Sequence, residues 1–123
     1  LYIPHHFNFE VLLNSFKKYN YLRDHAKFKD NYDYNLALLI MNNRQYMTND
    51  CIVMVEGDHL FSPVSELYYS FYDNPKKLND SLLQNNAIQS VVGNGYIDFG
   101  KSQDTGLFDY TDGVDTMQFL LGL

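Results

Sequence analysis

Residues 51–72 read CIVMVEGDHLFSPVSELYYSFY, and this stretch decides the fold. Cys51–Val55 is a continuous apolar run with β-branched residues, which is typical of a strand covered on both faces. Glu66–Tyr72 is rich in aromatic residues and predicts a second strand. The residues between the two runs, EGDHLFSPV, have the polar, glycine- and proline-containing composition of a loop. The stretch therefore predicts a strand, a loop and a strand.

Helical patterns precede this stretch. Asn8 is a good helix cap, and the residues after it form one apolar stripe at helical spacing: Phe9, Leu12, Leu13 and Phe16. Residues 19–31 are polar and aromatic and read as a connector, and THR-ASN-ASP at 48–50 reads as a turn. A second helix is predicted over residues 32–42, with the stripe Tyr34, Ala37, Leu38 and Met41. Because most of its remaining circumference is apolar as well, we expect this helix to be buried on several sides.

Further elements are predicted on either side of these. Leu1–Ile3 reads as a short strand, and Asn74-Pro75 opens a helix with a proline at the first helical position. Two further strands are predicted, at Ile88–Val92 and Ile97–Phe99. A loop over Gly100–Thr111 follows, and then a final helix over Val114–Leu121 that Asp112 caps. This order predicts the α/β class, as one domain over residues 1–123, with helices flanking a mainly parallel sheet.

Composition narrows the function classes. The chain has 123 residues and a formal net charge of −6, so a polyanion such as nucleic acid is an unfavourable partner. A single cysteine cannot form an internal disulfide, which favours a reduced, cytoplasmic location. No apolar run approaches the roughly 18 residues of a membrane span, and no signal-peptide pattern is present. Since the first residues already read as a strand and no initiator Met precedes them, we expect a chain cut from a longer one.

Three kinds of residue in the chain could carry chemistry: its cysteine, its histidines and a run of aspartates. Cys51 begins an apolar run with no His beside it in sequence, so it is interpreted as a buried small hydrophobe rather than a nucleophile. The histidines, at 5, 6, 25 and 59, lack the spacing of metal ligands, and no metal site is predicted. The aspartates at 104, 109, 112 and 115 do not have the spacing of a calcium-binding loop.

The order of motifs resembles the last third of the catalytic domain of the aldehyde dehydrogenase superfamily. There, a Glu-x-Phe-Gly-Pro-Val loop precedes a strand, a helix, a strand and a second loop, Pro-Phe-Gly-Gly-x-Lys-x-Ser-Gly. Phe61-Ser62-Pro63-Val64 is similar to the first loop, with Ser62 where glycine is usual. Asp98-Phe99-Gly100, followed by Gly106, is similar to the second loop, with Asp98 where proline is usual.

Within that superfamily, the chain resembles the C-terminal portion of the acyl-CoA reductases of the bacterial luminescence type. The resemblance rests on DNYDYNLALLIMN at 30–42, SPVSELYYSFYDN at 62–74 and FGKSQDTGLFDYTDGVDTMQFLLGL at 99–123. Its most specific piece, DY-x-DGVDT-x-x-FL, spans Asp109 to Leu120. The similarity covers nearly the whole chain, and it implies a partial aldehyde-dehydrogenase-like catalytic domain.

The resemblance implies a two-step reduction of a fatty acyl thioester to an aldehyde. A Cys thiolate takes the acyl group from coenzyme A, and NADPH or NADH then delivers a hydride. The family's nucleophile lies just before the strand that corresponds to Leu1–Ile3, and is absent from this sequence. The chain is therefore expected to be inactive alone and to bind no cofactor by itself. Its implied partners are the missing N-terminal part of the parent and further copies in a homo-oligomer.

The same resemblance implies site residues. The family's ribose-binding Glu aligns with His59, but Glu56 and Asp58 are close enough in sequence to take its place. Phe61 would pack near the nicotinamide; the alternative is a solvated acidic turn followed by a core Phe. Phe99, Gly100 and Gly106 would line the substrate cleft, although glycine is also the usual residue of tight turns. No residue of this chain is assigned a catalytic role.

Two hypotheses from other classes remain. The first is a stand-alone interaction or assembly module, because aromatic residues on both faces of the Glu66–Tyr72 strand require a cover. The second is a small independent enzyme that uses Cys51, which the lack of a His partner disfavours.

The final helix is too apolar to stand alone in water, so we expect Phe119 and Leu120 to be buried. Truncation after Asp112 should then lower the melting temperature or disrupt the assembly.

Overall fold

The computed structural model describes residues 1–106, 109–110 and 114–122. These residues fall into two compact units, Leu1–Pro75 and Lys76–Leu123. The first unit contains a four-stranded sheet in the order β1-β4-β3-β2. The strands are β1 (Tyr2–Ile3), β2 (Met47–Thr48), β3 (Val53–Glu56) and β4 (Glu66–Phe71). The helices are α1 (Phe9–Ser15), a 3₁₀ helix (Phe16–Asp24), α2 (Ala26–Met41), α3 (Pro75–Gln84) and α4 (Thr116–Leu121).

The sheet is mixed, so the α/β class is confirmed and the expected mainly parallel sheet is corrected. Strand β4 pairs in parallel with both β1 and β3, whereas β2 pairs with β3 in antiparallel register. The reversal comes from a tight turn, in which the Asn49 side chain accepts hydrogen bonds from the backbone N–H groups of Cys51 and Ile52. Asp50 has a φ of 66°, in the left-handed region that such turns require. A connection this short can join only antiparallel strands.

Strands β3 and β4 are parallel although no helix lies between them. Strand β3 is 4 residues long, so the chain has to return only about 13 Å to start the next parallel strand. The loop of residues 57–65 covers this distance, and Ser65 enters β4 with a φ of 71°. The predicted strand, loop and strand are therefore confirmed, with β3 beginning at Val53 rather than at Cys51.

The first helical region is more extensive than predicted. Residues 19–31, interpreted as a connector, belong to the 3₁₀ helix and to the start of α2, which begins at Ala26. No glycine or proline occurs between Pro4 and Gly57, so nothing in this polar stretch breaks a helix. Asn8 caps α1 as predicted, because its side chain accepts a hydrogen bond from the backbone N–H of Val11 at 3.2 Å.

Helix α2 packs on the sheet through the face opposite to the predicted one. Tyr32 and Leu39 form the core with Val53 and Val55, and Leu36 packs against it. The predicted stripe is exposed: Tyr34 at 64%, Leu38 at 39% and Met41 at 78%, with Ala37 also exposed. The expectation that α2 is buried on several sides is wrong for the described chain. Two hydrogen bonds set its rotation, from Tyr32 to the Thr48 hydroxyl (2.7 Å) and from Asn35 to the Val64 carbonyl (2.9 Å).

The face of β4 that points away from α2 is covered by aromatic residues of the first unit itself. The Phe9 ring meets the Tyr69 ring edge-on at 4.8 Å, and it also lies beside Phe71. The His5 imidazole stacks on Phe71 at 4.9 Å, and its Nε2 lies 3.0 Å from the Asp73 carboxylate. These edge-on and stacked arrangements are the favourable ones for aromatic pairs. The aromatic side chains on this face of β4 therefore pack against aromatic residues of the same unit.

The second unit has no strands in its described residues. The expected strands Ile88–Val92 and Ile97–Phe99 are replaced by a single bridge between Val92 and Ile97. The turn between them uses Gly95 at a φ of 86° and closes the two segments on each other after one pairing. Helix α3 begins at Pro75 as predicted, and Leu82 is its buried residue.

The final helix differs from the prediction in its start and its burial. It begins at Thr116, and Asp115 caps it by accepting a hydrogen bond from the Gln118 N–H at 3.0 Å. The predicted cap, Asp112, lies outside the described residues. Phe119 is 59% exposed and Leu120 is 56% exposed, so the expected burial of both residues is wrong for the described chain. The effect of truncation after Asp112 stays a prediction.

We expect Asn35→Ala to lower the free energy of unfolding by about 1–3 kcal/mol, because the buried Asn35 amide satisfies the Val64 carbonyl. Asn31→Ala is the matched control: its amide donates to the Lys27 carbonyl on the exposed side of the same helix. That change should stay within about 0.5 kcal/mol. Urea denaturation of both variants measures the difference. Equal losses would show that the bond from Asn35 does not hold the loop.

Candidate functional site

The carboxyl ends of β1, β3 and β4 lie on the same side of the sheet, because these strands run in the same direction. This row of strand ends, not an outer strand, is the edge discussed below. In open α/β sheets, ligands bind outside the carboxyl ends of the strands. Here the edge carries the start of the loop of residues 57–65, which then returns to the beginning of β4, and the residues that follow β1 and β4. The predicted cofactor residues Glu56, Asp58 and Phe61 all lie at or just beyond the end of β3.

The loop after β3 forms one side of an open pocket of about 470 Å³. The lining residues are His59, Leu60, Phe61, Ser62, Pro63 and Tyr68. The His59 ring meets the Tyr68 ring edge-on at 5.2 Å. Phe61 is 82% exposed, so the alternative of a core Phe is wrong. An exposed aromatic ring beside a cavity of this size can stack on a flat ligand.

Backbone and side-chain hydrogen bonds hold the two ends of this loop. The Gly57 N–H donates to the Tyr69 carbonyl at 2.9 Å, and the Ser70 hydroxyl donates to the Gly57 carbonyl at 2.7 Å. At the other end, Asn35 donates to the Val64 carbonyl. A side chain at Gly57 would begin 3.3 Å from the Tyr68 ring, so glycine allows the close approach of loop and strand. The loop therefore presents Phe61 from a fixed base.

Glu56 and Asp58 are exposed and lie outside the lining of the Phe61 pocket. Glu56 is the last residue of β3 and is the register partner of Tyr69. Burial raises the pKa of the Tyr69 hydroxyl, and the nearby negative charge of Glu56 raises it further. The Glu56 carboxylate is thus close to Tyr69 on the sheet. A role for Glu56 or Asp58 in binding ribose stays a prediction.

Sequence reasoning missed a second pocket at the same edge, with a volume of about 450 Å³. It is lined by Arg44, Gln45, Tyr46, Met47 and Tyr69. Arg44 follows the end of α2, where Asn43 has a φ of 51°. The Arg44 Nη2 donates to the Glu56 carbonyl at 3.2 Å. The sequence signal that could have indicated it is the pair Asn42-Asn43, since Asn tolerates the left-handed backbone that ends a helix.

The positive charge of Arg44 also acts on two groups of β4, Glu66 and Tyr68. Burial raises the pKa of the Glu66 carboxyl, while a hydrogen bond from the Tyr68 hydroxyl and the positive charge of Arg44 partly offset the increase. Burial, followed by the charge of Glu66, raises the pKa of the Tyr68 hydroxyl.

The predicted cleft residues Phe99, Gly100 and Gly106 belong to the second unit. Phe99 is 82% exposed. Gly100 has a φ of 81° and open space where a side chain would lie, so glycine serves the backbone conformation there. The Gly106 N–H donates to the Asp109 carboxylate at 2.6 Å. This geometry fits the tight-turn alternative at Gly100, and the lining of a cleft by these residues stays a prediction.

Cys51 is buried, with 3% of its surface exposed, as expected of a small hydrophobe. Its thiol donates to the Tyr19 carbonyl at an S···O distance of 3.4 Å, and burial raises its pKa. A thiol that stays protonated is a poor nucleophile. Within the part of the chain that the structure describes, no group of three or more His, Cys, Asp or Glu residues could hold a metal ion.

Among the described residues, none of the helices has the length and apolar character needed to cross a membrane. Comparisons of the chain with protein-family models, with curated proteins and with solved structures found no match.

We expect the stability to fall less steeply with alkaline pH in Cys51→Ala than in the unsubstituted protein. Because the folded-state pKa of this thiol is raised, its contribution is present below the ordinary thiol pKa of about 8.5 and is lost as pH rises through the folded value. Urea unfolding at several pH values between about 7 and 10 measures the slope. Val11→Ala, at an exposed side chain that does not titrate, is the control that should leave the slope unchanged. Identical slopes for Cys51→Ala and the unsubstituted protein would contradict the expectation.

Proposed function

We propose that the chain is the C-terminal portion of the catalytic domain of an NADPH- or NADH-dependent acyl-CoA reductase and supplies one wall of the cofactor site. In this proposal, a Cys thiolate from the preceding part of the parent displaces coenzyme A and forms an acyl thioester. A hydride from the reduced nicotinamide then adds to the acyl carbon, and the thiolate leaves as the aldehyde is released.

The observation that carries the proposal is the exposed Phe61 on an anchored loop that follows the carboxyl end of a parallel strand. The dihydronicotinamide ring of the reduced cofactor is nearly planar, and its hydride-donating carbon must be held beside the acyl carbon by a rigidly positioned surface. Phe61 offers such a surface, because hydrogen bonds at Gly57 and Val64 hold the loop on either side of it. The similarity of Phe61-Ser62-Pro63-Val64 to the cofactor loop of the superfamily supports the same assignment.

The state of Cys51 agrees with a chain that does not supply the nucleophile. Its thiol is buried, carries a raised pKa and donates to a backbone carbonyl. The exposed apolar face of α2 is consistent with a surface that another part of the parent covers. Tyr34, Leu38 and Met41 together give this face an apolar character that costs free energy in water.

The same face of α2 favours a second candidate, a protein-interaction module without catalytic activity. Its exposed residues include Tyr34 at 64% and Met41 at 78%. The two candidates differ in turnover, since a module would show no reduction of acyl-CoA in any context. Assay of the complete protein that contains this sequence, with acyl-CoA and reduced nicotinamide, separates them.

We expect Phe61→Ala, in the complete protein, to lower the turnover of acyl-CoA by about tenfold to a hundredfold, because the nicotinamide loses the surface that orients it. Leu83→Ala is the matched control: it truncates an apolar side chain on α3 that is 72% exposed. The measurement is the oxidation of reduced nicotinamide in the presence of acyl-CoA, followed by absorbance, with aldehyde identified as product.

Both variants should keep the melting temperature of the unsubstituted protein, since both side chains are exposed. Unchanged turnover in Phe61→Ala would remove this loop from the cofactor site. Complete protein that forms no aldehyde with either reduced nicotinamide would reject the reductase and leave the interaction module.

A further inference from the structure

The second pocket, lined by Arg44, Gln45, Tyr46, Met47 and Tyr69, is called the Arg44 pocket below. It lies on the face of the sheet that carries Met47 and Tyr69. Met47 is the register partner of Met54 in β3, and Tyr69 in β4 is the partner of Glu56. The pocket therefore opens across three strands at the edge where β3 and β4 end. It is open to solvent, and its volume of about 450 Å³ is enough for a small molecule that stays partly exposed.

The guanidinium of Arg44 is positioned by backbone contacts rather than by an ion pair. The Arg44 N–H donates to the Leu39 carbonyl at 2.9 Å, which fixes the chain as it leaves α2. Its Nη2 donates to the Glu56 carbonyl at 3.2 Å. No carboxylate of the described residues lies within ion-pair distance of it, whereas Arg23 has Asp50 at 3.8 Å. A guanidinium has five N–H donors, so Arg44 retains donors that can bind an anion.

The remaining lining supplies groups suited to the body of a small ligand. Tyr46 and Tyr69 offer aromatic rings, and Gln45 offers an amide that can both donate and accept. Glu56 lies outside the lining, but it is the register partner of Tyr69 in the neighbouring strand, and its exposed carboxylate can accept hydrogen bonds from hydroxyl groups beside the pocket. That carboxylate would repel a purely anionic ligand, whereas a ligand with an anion at one end and hydroxyl groups at the other can pair with the guanidinium and donate hydrogen bonds to the carboxylate.

We propose that this pocket binds a sugar phosphate, with the phosphate on the Arg44 guanidinium and the sugar hydroxyls facing Gln45 and Glu56. The planar guanidinium fork fits two phosphate oxygens at once. The sugar lies against the Tyr69 ring, which packs on its apolar face. The sugar phosphate is either a free metabolite or part of a nucleotide, and both present the same chemistry to these residues. The assignment is independent of the Phe61 loop and of the proposed reductase activity.

Calorimetric titration of the complete protein with ribose 5-phosphate, adenosine monophosphate, ribose and inorganic phosphate tests the assignment. We expect Arg44→Gln to weaken binding of the phosphorylated sugar by about tenfold or more, because a charge-assisted hydrogen bond is lost. Arg23→Gln makes the same change of charge at a residue outside the pocket, and it should leave binding within about twofold. Tighter binding of adenosine monophosphate than of ribose 5-phosphate identifies a nucleotide as the source; equal or weaker binding identifies a free sugar phosphate.

Three results would overturn the assignment. They are no binding of either phosphorylated sugar at about 10 mM, equal losses in Arg44→Gln and Arg23→Gln, and inorganic phosphate binding as tightly as ribose 5-phosphate. If Arg44→Gln fails to fold, hydrogen–deuterium exchange of the unsubstituted protein decides the matter. The ligand should then protect the peptide that covers residues 42–48, and unchanged exchange there overturns the assignment. A negative result here leaves the Phe61 test unaffected, because that test measures turnover and this one measures binding.

Discussion

Burial of β3 on both faces is the constraint on which the first unit depends. Val53, Met54 and Val55 are at most 1% exposed, so the strand needs an apolar cover on each side. Alternation along the strand places Val53 and Val55 toward α2 and Met54 toward the other face. Each buried aliphatic side chain contributes about 1.5–3 kcal/mol, which is large compared with the net stability of a small domain. The helices are therefore arranged around β3.

The polar ends of the strands follow from the same constraint. Since the middle of β3 accepts only apolar neighbours, charged and hydroxyl groups collect where the strand leaves the core. Glu56 begins this polar edge, and Arg44 reaches it from the end of α2. Hydrogen bonds at Gly57, Ser70 and Asn35 then fix the loop that carries Phe61. Both candidate pockets of the first unit arise at this border between a dry core and an open edge.

The exposed face of α2 shows how two apolar patterns compete on one helix. Tyr34, Leu38 and Met41 have the spacing of a buried stripe, and so do Tyr32, Leu36 and Leu39. Hydrophobicity does not choose between them, because both stripes would bury similar apolar area. The choice is made by polar groups, since Tyr32 and Asn35 find partners at Thr48 and Val64. Leaving a polar group unpaired in the core would cost more free energy than the difference in apolar area buried by the two stripes.

The sequence by itself determined the local features whose cause is local. These are the strands β3 and β4 with the loop between them, the cap at Asn8, the start of α3 at Pro75 and the burial of Cys51. It placed Glu56, Asp58 and Phe61 at the end of a strand, because strand boundaries follow from the change of polarity. Only the tertiary structure decided the rotation of α2, the antiparallel addition of β2, the pocket at Arg44 and the exposure of Phe119. Each of these depends on contacts between residues distant in sequence, or on whether a cover exists for an apolar face, and a periodic pattern carries neither kind of information.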